Sequence, residues 1–100
     1  MLPYEIDVTT LKEHRETGQD HIVLDVREPG ETAVHAFDGA LEIPMHEIPQ
    51  HLDKIPQDKT VVVLCHIGGR SMQVTGFLRQ QGYENVTNLR GGIDAWSRQG

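Results

Sequence analysis

A single cysteine, Cys65, opens the run Cys65-His66-Ile67-Gly68-Gly69-Arg70-Ser71, directly after the apolar stretch Thr60-Val61-Val62-Val63-Leu64. A thiol is a good nucleophile only as its thiolate. A helix N-terminus, a nearby cation or converging N–H donors can bring its pKa down from about 8.5 to about 3.5–7.5. The run offers all three: a helix expected to begin after Arg70, the cation Arg70 with His66 as a second, and the amides of residues 66–71. Gly68 and Gly69 permit positive φ and close backbone approach, so consecutive N–H groups can converge into an anion-binding nest. The same cradle would stabilise a terminal sulfur carried on Cys65 as a persulfide. The bland alternative is a small buried hydrophobe, which fits poorly at a strand end before two glycines.

Elements of defined length must position this loop. After Thr60 the run to Leu64 is apolar throughout, as a strand covered on both faces requires. The helix after it is expected over about 71–81, with Met72, Val74, Phe77 and Leu78 as its apolar residues and a stop at Gly82. Ser71 serves this helix as an N-cap or first-turn residue that secures the loop. Upstream, an extended piece around residues 4–8 leads to Thr10-Leu11-Lys12-Glu13, a capping-box pattern that opens a helix ending near Gly18. Residues 22–26 form a second strand, 25–30 a turn, and 31–38 a loop with a short helical turn. A brief strand over 40–43 stops at Pro44, and a short helix over 47–55 carries Pro49 near its first turn. A last strand covers 86–89, and Gly91-Gly92 introduce a final helix containing Ile93, Ala95 and Trp96. Strands alternating with helices indicate an α/β fold with a mostly parallel sheet flanked by helices. Ligands of such sheets bind off the carboxyl ends of the strands, where Cys65 falls.

Composition narrows the setting. One hundred residues, 37% of them apolar, suit one domain spanning 1–100. The formal charge of −6 argues against nucleic acid as a partner, because phosphate binding needs a basic face. No stretch is long and apolar enough to enter a membrane as a span. Residues 1–5 lack the charged and apolar regions of a signal peptide, so a cytoplasmic location is expected. One cysteine leaves the thiol free of internal disulfides. The histidines have no ligand spacing: His46 and His51 lie off one helical face, and His14, His21 and His35 are scattered, so no metal site follows. Asp25, Arg27 and Glu28, after a buried strand, are suited to tying neighbouring loops together.

With these residues in view, Cys65-x-x-Gly68-x-Arg70-Ser71 resembles the active-site loop of single-domain rhodanese-like sulfurtransferases. Further matches run along the chain: Asp25-Val26-Arg27-Glu28, Gly39-Ala40 followed by Ile43-Pro44, Gly82-Tyr83-x-x-Val86, and Leu89-x-Gly91-Gly92-x-x-x-Trp96. The resemblance implies a three-layer domain whose central parallel sheet of about five strands is flanked by helices on both faces, with Cys65 as the catalytic nucleophile and His66, Ile67, Gly68, Gly69, Arg70 and Ser71 as the substrate-binding cradle. It implies a small anionic sulfur donor such as thiosulfate, a thiol or cyanide acceptor, or a protein in either role, and no metal or organic cofactor. Two departures stand out. His35-Ala36-Phe37-Asp38 replaces the Gly-His-Ile-Pro of many relatives, and Glu31 lies near the place where two-domain thiosulfate enzymes carry a substrate-binding arginine. Cysteine phosphatases and related arsenate reductases use Cys-x5-Arg; the Cys65-x4-Arg70 ring is one residue shorter and suits a single sulfur atom. Two other functions are open to the same loop: a protein-docking or sulfur-relay module with little small-molecule turnover, and a thiol redox sensor, which would lack a resolving cysteine.

Overall fold

The valine-rich run forms the middle strand of a parallel sheet in the computed structural model, which describes residues 2–99. In chain order the elements are β1 (Glu5–Ile6), α1 (Val8–Thr17), β2 (His21–Asp25), α2 (Pro29–Val34), β3 (Leu41–Glu42), β4 (Thr60–Leu64), α3 (Gly69–Gln80), β5 (Val86–Leu89) and α4 (Gly92–Arg98). Two 3-10 segments, Met45–Gln50 and Leu52–Lys54, link β3 to β4. The strands lie in the order β1-β5-β4-β2-β3, and every pair is parallel.

Alternation along β4 decides which way Cys65 points. Val61, Val63 and Cys65 belong to one cluster with Val74 and Leu78 of α3 and Ile48 of the first 3-10 segment. Val62 and Leu64 face the other way, onto Leu11 of α1 and Ile93 of α4. Burial of each such side chain contributes about 1.5–3 kcal/mol, so a one-residue slip of β4 would sacrifice both clusters at once. That penalty fixes Cys65 on the α3 side. The chain turns one way from β2 to β3 and the other way from β4 to β5, so the carboxyl ends of β2 and β4 form the switch-point crevice.

Several expected elements differ from the observed ones. Asp7, not Thr10, caps α1: its carboxylate accepts the Thr10 amide at 2.9 Å, and the Thr10 hydroxyl joins it at 2.8 Å. The expected turn and loop contain α2, opened by Pro29 at its first position and lacking any buried residue, hence without apolar period. The expected 47–55 helix is instead the pair of 3-10 segments, since Pro49 lies inside the first and has no N–H for an α-helical bond. Helix α3 begins at Gly69, two residues early, behind Gly68 at φ +117°. Its buried stripe is Ser71, Val74, Thr75 and Leu78; Met72 is 42% exposed.

Candidate active site

The Cys65 sulfur lies buried at the N-terminus of α3. The Gly68 amide donates to Sγ at 3.0 Å, and the Ser71 hydroxyl stands 3.2 Å from the same sulfur. That hydroxyl also lies 3.2 Å from the Gly68 carbonyl. It has one proton, which a thiolate attracts more strongly than a carbonyl does. Burial pushes the Cys65 thiol up. Hydrogen bonds from the Ser71 hydroxyl and from the Ser71, Gly68 and Arg70 amides outweigh it and hold the thiol below its ordinary value. Ser71→Ala is therefore expected to raise the midpoint of iodoacetamide alkylation against pH. A midpoint no higher than that of the native protein would remove the hydroxyl from thiol activation.

Helix α4 builds the other side of the loop. The Ile93 amide donates to the Cys65 carbonyl at 2.9 Å and the Asp94 amide to the His66 carbonyl at 3.0 Å. Two carbonyl oxygens that would repel an anion are thereby committed to α4. The approach needs a residue without a side chain: Gly92 has φ +60°, and a Cβ there would lie 2.5 Å from both carbonyl oxygens. Gly68 meets the same demand through conformation, because its φ of +117° turns its amide onto the sulfur.

The crevice wall opposite comes from β2 and α2. Asp25 and Arg27 are buried and joined by Nε and Nη2 bonds of 2.7–3.2 Å, and Arg27 also donates to the His35 carbonyl at 2.8 Å. This tie fixes the chain on both sides of α2, a structural role. From α2, the Glu31 carboxylate grips the Arg70 guanidinium with both oxygens, at 2.6 and 2.8 Å, while accepting the Glu28 amide at 2.9 Å. The Arg70 contact, then the Glu28 amide, lowers the Glu31 pKa from its ordinary 4.5 to about 2. A carboxylate with a depressed folded-state pKa stabilises the fold above its unfolded value, and that contribution disappears as pH falls through the folded one. Glu31→Gln should thus flatten the fall in unfolding free energy between about pH 5 and about pH 2. Both side chains are about one-third exposed, so the change will be modest. An unaltered acid slope in urea melts would mean the pair adds nothing to stability.

Of the residues expected in the cradle, the structure gathers Gly68, Arg70 and Ser71 about the sulfur, with Gly69 as the first residue of α3. The His66 and Ile67 side chains are exposed, Ile67 by 66%. They border two open hollows, and the one beside His66, of about 530 Å³, is also lined by Glu31, Val34 and Asp94. No group of three or more metal-ligating side chains occurs among the described residues. None of the described helices is long and apolar enough to cross a membrane. Neither Glu31 nor Gly92 has a site role on sequence grounds. Pro29 followed by a glutamate at the third helical position is a usable signal for α2, but nothing local signals its pairing with Arg70.

Residues 7–99 match the rhodanese-like domain family. A protein of Allochromatium vinosum named sulfurtransferase is 45% identical over 96 residues, covering 96% of this chain and 90% of that protein. The crystal structure of a rhodanese-related protein from Thermoplasma volcanium superposes with a TM-score of 0.88 at 32% identity, covering 98% and 94% of the two chains. The human single-domain sulfurtransferase TSTD1 gives a TM-score of 0.88 at 25% identity, covering 99% of each.

Proposed function

The chain belongs to the rhodanese-like domain family, and on that premise we propose that it is a sulfurtransferase acting through a persulfide on Cys65. The observation that carries this reading is the Cys65 sulfur within hydrogen-bonding reach of the Gly68 amide and the Ser71 hydroxyl at the head of α3. The Cys65 thiolate attacks the outer sulfur of a donor, thiosulfate or a persulfide. A new S–S bond forms, the donor's S–S bond breaks, and its electron pair leaves with sulfite or a thiolate. Cys65 then bears a persulfide whose terminal sulfur is anionic. An acceptor thiolate or cyanide attacks that sulfur, leaving as a persulfide or thiocyanate and returning the Cys65 thiolate. Donor amides serve the anion in both states, as an oxyanion hole does. Intact-protein mass after exposure to donors tests the reading directly. The native protein should gain one sulfur atom that cyanide removes, and a mass that never changes would end the proposal.

The short Cys65-x4-Arg70 spacing and the occupation of Arg70 by Glu31 disfavour phosphoryl transfer. Incubation with p-nitrophenyl phosphate should release no phosphate. Sustained release that depends on Cys65 would overturn the loop-length argument.

A protein as donor or acceptor is the second form of the reading. Val34, 87% exposed, and Ile67, 66% exposed, flank the hollows beside the loop and would be covered by a docked partner.

A further inference from the structure

Arg70 is the cation placed to greet an anionic donor, yet its guanidinium is already engaged. Nη1 and Nη2 each donate to one oxygen of Glu31, a two-point fork that matches the carboxylate geometry and cancels the charge. The Glu28 amide holds the same carboxylate at 2.9 Å, so Glu31 is anchored by α2 in the gripping position. In the hollow that Glu31 lines, Arg27 is neutralised by buried Asp25, and Asp94 is paired with Arg98. A small dianion arriving here meets guanidinium groups already paired with carboxylates. A sulfur presented by an uncharged or cationic group needs no such cation.

We propose that Glu31 is a specificity residue: by occupying Arg70 it excludes small dianionic donors such as thiosulfate and reserves Cys65 for persulfides of uncharged or cationic thiols. The inference rests on the sulfurtransferase reading for its consequence, but the occupation of Arg70 can be measured without turnover.

Two experiments test it. The first is calorimetric binding of thiosulfate to Cys65→Ser, with and without Glu31→Gln. Releasing Arg70 should tighten the dissociation constant about tenfold, and adding Arg70→Ala should abolish the gain. The second compares loading of Cys65 from thiosulfate and from the persulfide of cysteamine, a cationic thiol. In Glu31→Gln and in Glu31→Ala the ratio of kcat/KM for thiosulfate over the cysteamine donor should rise about tenfold, mainly through KM. Merely structural damage would depress both donors together and leave the ratio unchanged. An unchanged thiosulfate affinity in variants with native melting curves overturns the proposal, as does an unchanged donor ratio. If the native protein takes sulfur from neither donor, the sulfurtransferase reading fails by itself, and the binding comparison still decides what Glu31 does.

Discussion

Cys65→Ser is expected to abolish sulfur transfer to cyanide from every donor while leaving the fold in place. Cys65 is the chain's one cysteine, so no second thiol can substitute. A serine hydroxyl at neutral pH supplies almost no alkoxide, and no hydroxyl can carry the sulfur as a persulfide. The fold should tolerate the exchange. The oxygen is slightly smaller than sulfur and can accept the Gly68 amide now directed at Sγ, so the loss of stability should stay within about 1 kcal/mol. Thiocyanate formation measured beside circular dichroism melts gives both readouts. Activity persisting in a well-folded Cys65→Ser protein would remove the thiol from the mechanism.

Gly92→Ala is the second large effect, expected to cost about 10²–10³ in rate, the usual loss when an anion-stabilising cradle forfeits a donor. One methyl group does this from outside the loop. It would lie 2.5 Å from the carbonyl oxygens of Cys65 and His66, so α4 must retreat or the loop must turn. Either movement misaligns the amides that lower the thiol pKa, and the alkylation midpoint should rise in parallel. Positive φ alone does not account for such an effect, and Gly18 provides the control. It has φ +73° at the end of α1, and a Cβ there would meet nothing within 4 Å. Gly18→Ala should destabilise comparably through backbone strain yet keep the native rate per folded molecule. Equal rates for the two variants, measured well below their melting temperatures, would show that α4 does not shape the cradle.

Cys65 and the loop around it were legible because their signals are local. An apolar run of five, two glycines and a helical pattern lie within about twenty consecutive positions, and β5 matches its expected range of 86–89. Less legible were features set by distant partners. Helix α2 buries nothing, so hydrophobic period could not reveal it. Glu31 and Arg70 are 39 residues apart, and only the order of β2 and β4 in the sheet brings them together. At the start of α1 the expected Thr10 box gives way to Asp7, whose carboxylate reaches both the amide and the hydroxyl of Thr10. Met72 fits an apolar list, but Ser71, Val74, Thr75 and Leu78 share the inward face, and a buried serine there serves the sulfur rather than the core.

The bonds from Ile93 and Asp94 to the carbonyls of Cys65 and His66 impose an order on biosynthesis. A ribosome delivers Cys65 well before residues 92–94, at about 5–20 residues per second. In that interval β4 has neither β5 beside it nor α4 beneath the loop, and the carbonyls of Cys65 and His66 lack the amides that hold them in the folded protein. The loop is therefore completed from its far side only when the last helix arrives.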